Sequence, residues 1–292
     1  SFTALNEVVV YDNSFGKLQE FGKIEKGQTY SIVSDYGNWW RILYAGRVGY
    51  VHKDNVEAGF ISTDEYFKVT DDNLTIYDNR SGSLKKVGTL VKGKTYKRVS
   101  DYGNWHRIQF GNHYGYVHKG GTELSSKAQF KNENKSYKQS DRSFTTLGEV
   151  TVYDNSSGKL EEIGTLTKGQ TYQITSDYGN WWRIIFADGV GYVHKNQVKY
   201  NFKDSDKYFK VLTDDLPVRN KGNTKTLGTL KKGQVYPRVS SYGPNWHRVK
   251  FGNDYGYVYT EKTVIGNASA IKNKNTKYKS TNKYFRTQKD VT

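Results

Sequence analysis

Apolar and polar residues alternate along this chain in short stretches, and helical periodicity is nearly absent. Leu74–Ile76 and Leu216–Val218 read as half-buried strands, because every second side chain is apolar. Each is followed by a loop rich in Gly, Ser, Asn and Lys (78–86, 220–225), then by a short apolar segment ending in Lys-Gly (87–90, 227–230). A β-prone stretch such as Thr95–Ser100 leads into Asp-Tyr-Gly-Asn, a turn in which Gly and Asn tolerate positive φ. A strand opens at a tryptophan, turns at Gly111-Asn112 or Gly252-Asn253, and a Gly-Tyr-Val strand closes the unit. Proline occurs only three times. Short strands with turns at this spacing predict an all-β fold, a small barrel or sandwich.

The pattern recurs four times, and a copied unit identifies the folding unit. The turn-and-tryptophan segments are Asp35–Arg41, Asp101–Arg107, Asp177–Arg183 and Ser241–Arg248. Each lies after a Lys-Gly turn (Gly27, Gly93, Gly169, Gly233) and before a Gly-Tyr-Val strand (Tyr50, Tyr116, Tyr192, Tyr257). The first and third copies carry Trp-Trp-Arg and the second and fourth Trp-His-Arg, so a two-repeat block was duplicated. The expected units are 1–58, 64–124, 143–200 and 206–264, with a Lys/Asn/Ser-rich spacer at 125–142 and a basic spacer at 265–283. Lys131–Phe144 aligns with Lys272–Phe285 without a gap. Either the spacer packs against something or the duplication is too recent to have drifted. Residues 284–292 resemble the start of a first-type repeat, which would be a fifth unit or a strand closing the fourth. Residue 1 falls at the same point of its repeat as Ser143, which makes a piece of a longer chain the expectation.

The order of features resembles the bacterial SH3-like (SH3b) domain. The fourth unit carries the resemblance best, in Leu216-Pro-Val-Arg219, Leu227-Gly-Thr-Leu-Lys-Lys-Gly233, Asn245-Trp-His-Arg-Val249 and Gly256-Tyr-Val258. The chain departs from that pattern in ending on tyrosine where the family has tryptophan. It also departs at Tyr11, Tyr77 and Tyr153, where the family often has arginine. The resemblance covers roughly four fifths of the chain and implies a tandem array of four small SH3-like barrels of five to seven short strands each. It also implies attachment to bacterial cell walls, commonly as the targeting part of a peptidoglycan hydrolase. Fold does not choose the ligand.

Composition narrows the chemistry. A 292-residue chain divided into units near sixty residues gives thin cores, since a domain of about 60 residues buries only about 60% of its chain surface. Aromatic residues, 15% of the chain with 25 tyrosines, supply much buried area from few side chains. There is no cysteine and no methionine, which excludes zinc ribbons, disulfide frameworks and thiol nucleophiles. No run approaches the about 18 apolar residues of a spanning helix. The net charge of +16 favours polyanionic partners without choosing among them.

No catalytic constellation stands out, and no cofactor or metal is implied. His52, His118 and His194 recur after Gly-Tyr-Val, but Tyr259 takes that place in the fourth copy. His106 and His247 alternate with Trp40 and Trp182, a swap that a catalytic base would not survive. Better candidates for binding are the turn tyrosines Tyr36, Tyr102, Tyr178 and Tyr242, which precede glycine on a loop where a ring is hard to bury. With them go Trp39, Trp105, Trp181 and Trp246, Arg41, Arg107, Arg183 and Arg248, and Tyr50, Tyr116, Tyr192 and Tyr257, as a shallow aromatic groove beside an arginine. Strand parity puts the recurrent tryptophan on the arginine's wetter face. A bulge after the turn would instead send it into the core, and the need of a small barrel for every ring favours that second arrangement.

The reading is a non-catalytic, extracellular, wall-associated binding array whose partners are peptidoglycan, an anionic wall polymer such as teichoic acid, or both. Any catalysis would belong to a larger hydrolase or surface protein that it targets. The alternatives are single-stranded nucleic-acid binding, disfavoured by the scatter of the basic residues, and a structural stalk or adhesin.

Overall fold

The computed structural model describes residues 1–60, 63–275, 277–279, 281, 283 and 285–288. The expected terminal unit at 284–292 lies for the most part outside the described residues. The fold is all-β, without an α-helix among the described residues. The chain divides into two compact units, Ser1–Asp141 with Glu149–Val193, and Arg142–Gly148 with His194–Thr292.

Each repeat builds the same five-stranded antiparallel sheet. In the first, the order across the sheet is Gln19–Ile24, Val8–Asp12, Arg47–His52, Trp39–Tyr44 and Ile32–Tyr36. The fourth reproduces it as Thr226–Leu230, Leu216–Arg219, Asp254–Tyr259, Trp246–Phe251 and Ser240–Tyr242. In the first, second and fourth repeats a small three-stranded sheet joins the repeat's first and last strands, as in Thr29–Tyr30, Phe2–Ala4 and Val56–Ala58. The first repeat therefore has eight strands, not five to seven. The additional ones are two or three residues long and carry too little alternation to be read from sequence.

Local chemistry explains the meander. The Lys-Gly turn requires left-handed backbone, and Gly27, Gly93, Gly169 and Gly233 all adopt φ near +80°. The Tyr-Gly turn does the same, with Gly37 at +60°. That glycine heads a two-residue hairpin in which Tyr36 pairs with Trp39. The first hairpin carries a β-bulge at Val10/Tyr11, repeated at Ile76/Tyr77, Val152/Tyr153 and Val218/Arg219.

The tryptophan-initiated strand keeps strict alternation, with Trp40 and Ile42 buried and Trp39 and Arg41 half-buried. No bulge intervenes between turn and tryptophan, so the core reading of the recurrent tryptophan is corrected: Trp39, Trp105, Trp181 and Trp246 face outward. The core is filled by the next residue instead, Trp40 and Trp182 in first-type repeats and His106 and His247 in second-type repeats. Around Trp40 gather Phe2, Val8, Val10, Ile24, Ile42 and Val51. In the fourth repeat Phe209, Val211, Val218, Val249 and Val258 form the corresponding cluster.

Within the first unit the second and third repeats share one ten-stranded sheet. Lys85–Leu90 pairs antiparallel with Glu161–Leu166, with Thr89 opposite Thr165 and their hydroxyls 2.9 Å apart. The approach is close enough to demand glycine. A Cβ at Gly88 would lie 2.1 Å from the Thr165 carbonyl oxygen, and one at Gly164 2.3 Å from that of Thr89. Spacer 125–142 packs here as well, so the duplicated spacer has a structural role. Phe130 buries against Tyr66, Val190 N–H donates to the Asn132 carbonyl at 2.9 Å, and Glu133 bridges to Gly189.

Gly88→Val is therefore expected to destabilise the first unit by about 2–4 kcal/mol, since a side chain there collides with backbone rather than with a mobile group. Gly148→Ala, where a Cβ meets nothing within 4 Å, serves as control. Urea unfolding followed by tryptophan fluorescence reads the difference, and equal midpoints would refute the tight edge pairing.

Candidate functional site

The outer face of each five-stranded sheet carries the predicted binding residues. Outward parity places Trp39 and Arg41 two residues apart on one strand, while cross-strand pairing sets Tyr36 beside Trp39 and Tyr50 beside Arg41. In the first repeat the Tyr36 and Tyr50 rings meet edge to face at 5.5 Å, and the Arg41 guanidinium lies 4.3 Å from the Tyr36 ring centroid. Arg41 Nε donates to Tyr50 Oη at 3.3 Å. The third repeat repeats this, with Tyr178 and Tyr192 at 5.6 Å, Arg183 4.2 Å from Tyr178, and Arg183 Nε donating to Tyr192 Oη at 3.2 Å.

Second-type repeats differ in one respect. The Tyr102–Tyr116 pair persists at 5.6 Å, but Arg107 stacks on Tyr114 at 4.1 Å, a position held by Val48 and Val190 in first-type repeats. In the fourth repeat Arg248 stacks on Tyr255 at 3.7 Å, and Tyr257 is buried under Tyr242 at 4.6 Å. Tyr257 thus offers less surface than its equivalents. The turn tyrosines are exposed in all four copies, at 46% for Tyr36, 57% for Tyr102, 46% for Tyr178 and 40% for Tyr242.

Sequence reasoning missed one member of the face. Tyr11 packs edge to face on Trp39 at 5.5 Å, Tyr77 on Trp105 at 5.6 Å and Tyr153 on Trp181 at 5.7 Å. Arg219 holds that position in the fourth repeat and lies opposite Tyr257. The signal was present in the sequence, since Val8 and Val10 point inward and Tyr11 follows, but only the sheet order brings it to Tyr50.

The histidines serve the fold. Nδ1 of His52 and of His118 accepts the backbone N–H of Asp54 and Gly120, capping the single 3-10 turn that follows. His106 and His247 are fully buried, stacked on Phe67 and Phe209 at 4.5 Å, with Phe60 and Phe202 edge-on at 4.3 Å. Thr122 Oγ1 gives its proton to the Lys119 carbonyl, so the hydroxyl accepts from His106 Nε2–H at 2.9 Å. Thr263 does the same for His247 at 2.7 Å. Burial, and then the nearby Arg98, push the His106 pKa down to about 2; burial, and then Arg238, push that of His247 to about 3. Neutral and enclosed, neither can take a proton from a bound substrate.

A cleft of about 1090 Å³ also opens in the first unit, lined among others by Trp40, Lys53, Lys68 and Lys94. Three of its four lysines are already partnered, Lys53 with Asp35 at 2.8 Å, Lys68 with Glu123 at 2.7 Å and Lys94 with Glu161 at 2.5 Å, and Lys131 is the fourth. Most of its charge is therefore already neutralised within the fold. Among the described residues no group of three or more acidic, histidine or cysteine side chains is placed to hold a metal.

No protein-family model matches this chain, and no curated protein matches it. Among solved structures it is similar to NlpC1 from Trichomonas vaginalis, at 10% identity over 70% of this chain and 90% of that one. The TM-score of 0.19 is too low for that likeness to bear on fold or function.

The buried imidazoles predict acid lability. A histidine whose folded pKa lies below its unfolded value of about 6.5 stabilises fully above that pH and progressively less as pH falls towards the folded value. Between pH 6.5 and about 3 each contributes a slope of about 1.4 kcal/mol per unit. His106→Gln and His247→Gln should each shrink the gap between urea midpoints at pH 7 and pH 4.5. An unchanged gap would show that these rings titrate freely.

Proposed function

We propose that this chain is a non-catalytic, extracellular wall-binding array in which each repeat is an SH3-like barrel presenting one weak site. The observation that carries the reading is the fourfold recurrence of one outward face, a turn tyrosine, a tryptophan and an arginine, on sheets of identical strand order. Flat rings bind sugars and peptide stems by dispersion, at about 1–3 kcal/mol per ring if stacked bases are a fair guide. One face then holds a ligand in the high micromolar to millimolar range. Tethered sites see each other's ligand at millimolar effective concentration, which raises avidity by roughly 10²–10⁴ on a repeating polymer. Peptidoglycan is such a polymer, and the charge of +16 would draw the array towards teichoic-acid phosphates.

The joined second and third repeats favour a second reading, a stalk or adhesin, because paired strand edges stiffen an array whether or not it binds. Single-stranded nucleic acid is the third class and is separated by its salt response.

Co-sedimentation with purified Gram-positive walls tests the proposal. The chain should pellet with intact walls and less with walls stripped of teichoic acid. Replacing Tyr36, Tyr102, Tyr178 and Tyr242 together by alanine should lower retention at least tenfold, with each single change costing only a few-fold. Full retention by the fourfold variant would eliminate the aromatic face as the binding element. Stronger retention on single-stranded DNA than on walls at about 0.5 M salt would replace this reading with the nucleic-acid one.

A further inference from the structure

The junction between the second and third repeats has two halves, and the duplicated block supplies each half twice. One half belongs to a second-type repeat: the Lys85–Leu90 edge, Tyr96, Phe110 and the spacer that follows. The other belongs to a first-type repeat: the Glu161–Leu166 edge, Tyr172, Phe186 and Arg183. They lock through the glycine-lined strand pair, through Phe110 against Tyr172 at 5.1 Å and Phe186 at 6.0 Å, and through Tyr96 Oη donating to the Ile163 carbonyl at 2.7 Å. The spacer adds Tyr137, whose ring lies 5.1 Å from the Arg183 guanidinium.

The remaining two halves keep the same chemistry. In the fourth repeat Gly228, Tyr236 and Phe251 stand where Gly88, Tyr96 and Phe110 stand in the second. In the first repeat Gly22, Tyr30, Tyr44 and Arg41 stand for Gly164, Tyr172, Phe186 and Arg183. In the second spacer Asn275 and Tyr278 repeat a pair of contacts found in the first. Asn275 Nδ2 donates to the Tyr278 carbonyl at 2.7 Å and Oδ1 accepts its N–H at 2.8 Å, as Asn134 does with Tyr137. What differs is cover. Val87 is 2% exposed and its equivalent Leu227 37%; Ile185 is 9% exposed and its equivalent Leu43 65%. Val33 and Val48 flank Leu43 at 57% and 49%, and Tyr278 is 85% exposed.

We propose that the fourth repeat and the Lys272–Lys279 segment of one copy dock on the first repeat of a second copy, repeating this junction head to tail. Charge favours that occupant. Residues 1–58 carry seven acidic and six basic side chains, residues 206–264 five acidic and eleven basic, and residues 265–283 five lysines and no acid. The contact is weaker than its internal counterpart, because Gln234 and Gln19 replace the Lys94–Glu161 pair and Lys23 replaces Thr165. Lysine on an edge strand discourages permanent pairing, so the association is concentration-dependent. A heterologous contact of this kind leaves a head and a tail for further copies, which add until the rotation between them closes a ring.

Sedimentation velocity across micromolar to submillimolar concentrations tests this. The native chain should shift to dimers and longer species as concentration rises, and less so at high salt. Leu43→Asp spoils only the head and Leu227→Lys only the tail, both at positions already open to solvent, so each variant alone should stay monomeric. Mixed, they should form a 1:1 dimer through the intact tail of the first and the intact head of the second. Tyr278→Ala should raise the concentration needed for association several-fold. A native chain that stays monomeric throughout, or variants that associate alone as well as it does, would overturn the proposal.

Discussion

The strand that begins at the recurrent tryptophan carries two tasks on its two faces, and the two-residue period of β structure keeps them apart. Inward go Trp40 and Ile42, closing a core that a unit of this size can barely build. Outward go Trp39 and Arg41, held against Tyr36 and Tyr50 by cross-strand neighbours. A slip of one residue would exchange the faces, exposing the core ring and burying the guanidinium. The left-handed glycines on either side of this segment define where the strand begins, so they protect the binding face and the core together.

The inward position also separates the two repeat types. Where first-type repeats place a second tryptophan, second-type repeats place a histidine filled out by a phenylalanine from the preceding linker, Phe60 or Phe202. A buried arginine lies over that phenylalanine, Arg98 over Phe60 and Arg238 over Phe202, both at 5.1 Å. The linker is thus built into the core of the unit it precedes. This makes the imidazole a packing element hydrogen-bonded through Nε2 to a threonine, and it gives the block of two repeats a polarity that the single repeat lacks.

Edge strands are the other constraint. An open five-stranded sheet leaves unpaired backbone at its rim, and the second and third repeats remove two such rims by pairing them. The same glycine that permits this at Gly88 and Gly164 is covered at Gly22 and Gly228 by the rings of Tyr44 and Phe251. At Gly164 the Phe186 ring and the Thr89 carbonyl both crowd the space of the missing side chain, so ring capping and strand pairing are compatible on the same sequence motif.

Much of this was legible in the sequence. Repeat count, all-β class, turn positions and the exposure of Tyr36, Tyr102, Tyr178 and Tyr242 follow from a period-two pattern interrupted by glycine, because turn chemistry and alternation are local. The face of the recurrent tryptophan was written there as well, in plain parity, and was obscured only by weighing the need for core rings above it. Other features depended on strands distant in sequence. Tyr11 reaches Trp39 and Tyr50 only because sheet order makes the first hairpin a neighbour of the last strand. The spacer's fate was likewise undecidable from composition, since a Lys- and Asn-rich segment reads as solvated until a partner's backbone receives it. Local rules name the elements and their faces; which edges meet, and what they cover, is a property of the folded surface alone.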